Sequence, residues 1–207
     1  MNYLLTSPSL EDIIRLLKAW RFWVLGAIIG AILGAALFYI VPPPYRARAT
    51  VNVDFNLEQA WPQETDRQQF YYLERESRKL EEIAWSDEIM SQLSSQFGIT
   101  VEDLRNNKFQ LSQPAEAGWH FYADDNDPII AALLASAWAE AFVQKVQKVV
   151  AEIDTGNINQ FVKLEVTQSE NLPKERSIPL SGYLLAGSTS FLTLFVFVML
   201  FIKPKNK

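Results

Sequence analysis

The chain has 207 residues, 24 acidic against 19 basic, a formal net charge of −5 and no cysteine. The acidic balance argues against nucleic acid as a partner, and the lack of cysteine fits an extracytoplasmic location, where a free thiol would be a liability. The averages of 49% hydrophobic and 21% charged residues conceal two very unlike kinds of segment.

Residues 9–20, "SLEDIIRLLKAW", place Ile13, Leu16, Leu17 and Trp20 at i, i+3, i+4 and i+7, with Ser9 at the N-cap position. This predicts a short amphipathic helix, which either lies in the inner membrane interface or extends the first membrane helix. Residues 22–41 then run without Asp, Glu, Lys, Arg or His, and so do residues 179–202. At about 1.5 Å of rise per residue, each run reaches roughly 30 Å as a helix, the thickness of a bilayer's hydrocarbon core. No remaining domain is large enough to hide both, so two transmembrane helices are expected. A cleavable signal peptide is not expected, because its apolar region is shorter and no small-residue cleavage site follows.

Arg15, Lys18 and Arg21 precede the first run, and Lys203, Lys205 and Lys207 follow the second. The two ends carry +4 and residues 22–202 carry −9. Positive flanks stay inside, which predicts both termini in the cytoplasm and an extracytoplasmic middle. The expected division is a cytoplasmic segment 1–21, spans 22–41 and 179–202, an extracytoplasmic domain 42–178 and a tail 203–207.

The first span contains "GAIIGAILG", with Gly26, Gly30 and Gly34 on one face and Ala27, Ala31 and Ala35 beside them. In water three such glycines would each cost about 1 kcal/mol against Ala. In lipid they make a flat stripe for helix packing. The second span offers Gly182, Ala186 and Ser190 in a similar row, with Gly187 beside it. The partner of either stripe is left open: the chain's own other span, another copy or a different protein.

Pro42, Pro43 and Pro44 end the first span and stiffen its exit. Strict alternation over 45–55 predicts a strand with Ala47, Ala49, Val51, Val53 and Phe55 inward. Arg46 and Arg48 share the opposite face, available either to a lipid or pyrophosphate headgroup or to simple membrane-surface and carboxylate pairing. Residues 56–65 read as a loop. Residues 66–97 read as helical, with Phe70, Leu73, Leu80 and Ile83 or Ala84 inward, Glu74, Glu76 and their charged neighbours outward, and a break at Ser86 acting as a new N-cap. Thr100 to Asp103 resembles a capping box opening a short helix.

Residues 108–113 and 118–123 alternate as strands. Asp127 and Pro128 fit the N-cap and first position of a helix running to about residue 154, apolar nearly all round in its first half and therefore expected to be buried on more than one side. Residues 161–167 form a last strand, and Pro173 and Pro179 mark the return to the membrane. The reading is an α+β domain of order β-α-α-β-β-α-β, with a mixed or antiparallel sheet of about four strands between two transmembrane helices.

Catalytic chemistry finds little footing. His120 is the only histidine and sits within a strand pattern, so no Ser-His or Cys-His arrangement is expected. The run "ADDND" lacks the glycine and distal glutamate of a calcium loop and suits a turn and cap. No phosphate-cradling motif is present in the sequence. No catalytic residue, cofactor or metal is therefore assigned. Trp61, Tyr71, Tyr72 and Trp119 offer aromatic faces, with core packing as the ordinary use of such residues.

Taken in order, "LEDIIRLLKAWRFWVL", "PPPYRARATVNV", "WHFYADDNDPIIAALLASAWAEAFV" and the return with Pro173, Pro179 and Gly187 resemble the chain-length determinant (Wzz-type) family of polysaccharide co-polymerases, in a short form without a kinase domain. The resemblance implies a homo-oligomeric ring in the cytoplasmic membrane. It implies contact with membrane lipid, a polysaccharide polymerase and a lipid-linked glycan, whose length the outer domain would regulate without being an enzyme. The alternative reading is a structural or assembly-scaffold subunit of another membrane complex.

Overall fold

The computed structural model describes residues 14, 17–113, 118–151, 160–168 and 175–201. The chain divides into two compact units, one of Met1–Pro43 with Ile178–Lys207 and the other of Pro44–Ser177. The amphipathic reading of residues 9–20 and the hinge Pro173 lie largely or wholly outside the described residues.

In the first unit, helix α1 (Trp20–Ile40) carries the first uncharged run. Its end falls at Val41, whose N–H still bonds the Leu37 carbonyl. Pro42 to Pro44 follow, and they cannot continue the ladder. Helix α7 (Leu180–Phe201) carries the second run and starts directly after Pro179, whose carbonyl accepts from the Gly182 N–H at 2.9 Å.

The second unit is α+β. Strand β1 (Tyr45–Asp54) buries Ala47, Ala49, Val51 and Val53, as its alternation requires. The chain continues through α2 (Leu57–Ala60), α3 (Asp66–Ala84), α4 (Asp87–Phe97) and α5 (Val101–Asp103), the last running into one π-type turn at Leu104–Lys108. Strands β2 (Phe109–Ser112) and β3 (Gly118–Asp125), helix α6 (Pro128–Ala151), strand β4 (Lys163–Gln168) and the two-residue β5 (Glu175–Arg176) complete it. The sheet order is β2-β3-β1-β4, with β5 added on the first residues of β1. Every pairing is antiparallel, which removes the mixed alternative, and β5 is a fifth strand the alternation does not signal.

Helix α6 packs on β1, β3 and β4, and α3 and α4 pack on α6. The centre of this core is aromatic. Trp138 stacks on Phe109 at 4.4 Å and meets Phe121 edge-on at 4.9 Å, while Phe142 stacks on Trp119 at 5.7 Å. The Trp138 indole N–H donates to the Ala84 carbonyl at 2.9 Å, satisfying one of the orphan acceptors at the end of α3.

The structure corrects or refines several sequence expectations, beginning with the loop of 56–65, of which Leu57–Ala60 is helical. On α3 the buried row is Glu76, Leu80 and Ala84, while Phe70 is 67% exposed. The four-residue repeat that seats Leu80 and Ala84 carries Glu76 inward with them. Ser86 begins α4 with its backbone carbonyl, which accepts from Met90, but its buried hydroxyl finds no hydrogen-bond partner among the described residues. On α6 the apolar first half is buried against both the sheet and α3 and α4, as expected, but not all round: Ile129, Ile130 and Leu133 remain exposed.

Among the described residues three helices are long and apolar enough to cross a membrane: Trp20–Ile40, Pro128–Ala151 and Leu180–Val198. Half of the apolar window of Pro128–Ala151 is buried, against 17% for Trp20–Ile40 and none for Leu180–Val198.

Candidate functional site

Within the first unit α1 and α7 cross with their backbones in close approach. Gly26, Gly30 and Gly34 are the buried residues of α1. A Cβ on Gly30 would collide with the Gly187 carbonyl oxygen, and would lie 2.8 Å from that carbonyl carbon and 2.9 Å from the Phe191 Cβ. A Cβ on Gly34 would collide with the Tyr183 carbonyl, and one on Gly187 with the Gly30 carbonyl. Gly26 is less constrained, since its added Cβ would meet only the Phe195 ring, at 3.2 Å. The Ser188 hydroxyl donates to the Ala27 carbonyl at 3.2 Å, and Phe38 meets Tyr183 edge-on. Small residues thus let the two backbones touch, the packing mode that close helix pairs use in the absence of a large apolar interface.

The partner of the glycine stripe is therefore the chain's own second apolar helix. Its contact row is Tyr183, Gly187 and Phe191, spaced by four. Gly182 and Ala186 stand one residue earlier, about 100° around the helix, and do not face α1. Ala186 is exposed, and a Cβ on Gly182 would meet only Ile178.

On the second unit, the sheet face opposite α6 is polar. Arg46 lies across from Asp124, Arg48 across from Tyr122 and Thr50 across from His120. The Arg46 guanidinium donates to both Asp124 oxygens at 2.7 Å, and its carbon sits 5.6 Å from the centre of the Tyr122 ring. Hydrogen bonding to Asp124 raises the Arg46 pKa above its ordinary value. Arg46 is thus committed to a carboxylate, while the buried Arg48 Nε finds no acceptor among the described residues. His120 Nδ1 lies 3.2 Å from the Thr50 hydroxyl. Burial, and then the charge of Arg48, hold its pKa below the usual histidine range.

The acidic run is a turn with its charges engaged. Lys108 donates to Asp125 at 2.6 Å, and Asp125 accepts from the Asp127 N–H at 2.8 Å. Asp127 in turn caps α6 by accepting from the Ile129 N–H at 2.7 Å.

At the far end of β1 a cleft of about 1080 Å³ opens between the strand, α2 and α3. Asp54, Glu58, Glu74 and Arg78 bring charge to its walls, Gln69 brings an amide, and Phe70 brings an exposed ring. This mixture can bond hydroxyl groups and stack on an apolar ring face. Of the four aromatic residues singled out from the sequence, Trp119 is 4% exposed and belongs to the core. Trp61 stacks on Tyr72 at 4.5 Å, and Arg75 lies over the Tyr72 ring, so both rings are already engaged. Tyr71 is exposed. Helical spacing alone points Phe70 inward, and only the rotation of α3 set by Leu80 and Ala84 turns it to the cleft.

Glu76 is the second residue that the helical pattern misplaces. It is 1% exposed, with Lys79 Nζ at 2.8 Å and Arg75 at 3.3 Å. A buried carboxylate needs such partners. No family model and no curated protein matches the chain.

Proposed function

We propose that this chain is a non-enzymatic polysaccharide co-polymerase of the chain-length determinant type. In this reading α1 and α7 are two membrane spans with both termini in the cytoplasm, and the Pro44–Ser177 unit stands outside the cytoplasmic membrane. Copies assemble into a ring and regulate the length of a lipid-linked surface polysaccharide made by a partner polymerase.

The observation that carries the reading is the pairing of Gly30 with Gly187, which makes a single two-helix anchor for one folded head. Entry and exit of that head are joined, since the Ser177 N–H donates to the Pro44 carbonyl at 2.9 Å. Helix α6 is the third apolar helix, but its packing on β1, β3 and β4 gives it a soluble-core role. The cleft beside Phe70, with its carboxylates and amides, suits the hydroxyls and ring faces of a glycan.

Deleting the gene and sizing the cell's surface polysaccharide on a gel tests the proposal. The expected result is loss of the modal length, restored by the intact gene. An unchanged size distribution, with the protein recovered in a stoichiometric complex of unrelated membrane proteins, would instead make it a scaffold subunit.

A further inference from the structure

Helix α6 presents one outward row, and that row changes character along its length. Ile129 and Leu133 are 58% and 54% exposed, and Ile130 is exposed beside them. Further along, the exposed positions are Glu140, Gln144, Gln147 and Lys148, with the small Ala151 at the end of the helix. From Leu133 to Glu140 the helix rises only about 10 Å. Three large apolar side chains left in water at one end of a helix, with polar side chains on the same row beyond, mark a boundary lying across the axis.

The sheet register identifies which end of the unit this is. Tyr45 pairs with Asp125 on one side and with Arg176 on the other. Asp125 is the last residue of β3, and Asp127 caps the turn of α6 that carries Ile129. The exposed apolar side chains therefore stand at the end of the sheet where the chain enters at Pro44 and leaves at Ser177. Strand β1 starts five residues after α1, and α7 starts four residues after Arg176. At about 3.6 Å per extended residue, neither link exceeds roughly 18 Å.

We infer that Ile129, Ile130 and Leu133 form a lipid-contacting foot, entering the headgroup and upper acyl region of the bilayer leaflet beside which the unit is tethered. The inference rests on the reading of α1 and α7 as membrane spans. An interfacial segment buries its apolar face about 5–10 Å deep, which matches a patch confined to the first two turns of α6. A second copy of the chain seated along α6 would require an apolar stripe running the length of the helix, and the row turns polar at Glu140. Of the charged groups at this end, Arg46 pairs with Asp124 and Lys108 with Asp125, while the Arg176 guanidinium lies over the Tyr45 ring. The foot therefore needs no anionic lipid.

The test uses the full chain, whose lack of cysteine makes any introduced thiol the only one. Leu133→Cys, Glu140→Cys and Leu33→Cys are each labelled with bimane and reconstituted in phosphatidylcholine vesicles, plain or brominated high on the acyl chain. Leu33 lies on the exposed side of α1 and reports the span itself. The expected result is loss of fluorescence in brominated lipid for the labels at 133 and 33, and none at 140. Quenching at 33 without quenching at 133 overturns the foot alone. If the unquenched label at 133 is also shielded from aqueous iodide, the patch belongs to a second copy instead. No quenching at 33 overturns the two-span reading, and the foot with it.

Discussion

Arg46 and Asp124, 78 residues apart in the chain, meet as a two-pronged ion pair, each guanidinium nitrogen 2.7 Å from its own carboxylate oxygen. The pair ties β1 to β3 at the end of the sheet where the chain enters. Forked geometry raises its worth above that of an ordinary surface pair, and partial exposure limits it. A double-mutant cycle with Arg46→Ala and Asp124→Ala should return a coupling of about 1 kcal/mol, read from denaturant midpoints. A coupling indistinguishable from zero would show that the pair is fully screened.

Gly30 and Gly26 lie on the same helix face but differ in what they meet. At Gly30 an added methyl strikes the Gly187 backbone, which cannot yield. At Gly26 it meets a Phe195 ring, which can rotate. Gly30→Ala should therefore cost about 1–3 kcal/mol of helix pairing through overpacking, and Gly26→Ala far less. Disulfide formation between Ala27→Cys and Ser188→Cys reports the pairing, since these positions touch through the Ser188 hydroxyl and the Ala27 carbonyl. Cross-linking should persist with Gly26→Ala and drop sharply with Gly30→Ala.

His120 gives the Pro44–Ser177 unit a pH dependence of known sign. Its pKa is depressed in the fold by burial first and by Arg48 second. The unfolded chain therefore binds the proton more tightly, and stability is lost as pH falls through the ordinary histidine value near 6.5 toward the lower folded one. The thermal midpoint should fall between about pH 7.5 and about pH 5, and His120→Gln should flatten that fall.

Trp138 combines a buried ring with a satisfied N–H. Trp138→Phe keeps the stack on Phe109 and leaves the Ala84 carbonyl unpaired, a loss of about 1–3 kcal/mol. Trp138→Ala adds a cavity and should cost about 3–5 kcal/mol. Urea unfolding followed by near-ultraviolet circular dichroism would rank the two.

Much of the fold is legible in the sequence because it is local. The uncharged runs, the alternation of β1, the break between α3 and α4 and the Asp127 cap all depend on residues within one or two turns of one another. Partner choice is not legible. The glycine stripe of α1 announces a close approach without saying to what, and only the docked α7 identifies Gly187 and turns Gly182 and Ala186 away from α1. Phe70 and Glu76 exchange places between surface and core because the charged residues of α3 allow two rotations of the helix. Leu80 and Ala84 decide between them by packing into the core.

Composition and local pattern are enough to dictate the length and apolarity of three helices, the acidic character of the segment between the two terminal ones, and the inward parity of β1. Those properties follow from side-chain periods of 2 and 3.6 and from charge content, which are fixed before any long-range contact forms. Three other choices wait for the folded chain: that Arg46 is held by Asp124, that Gly30 meets Gly187, and that α6 is buried between sheet and helices yet leaves Ile129 and Leu133 outside. Each joins residues far apart in the chain or sets one element's rotation against another. Such choices are made by packing, which no local pattern encodes.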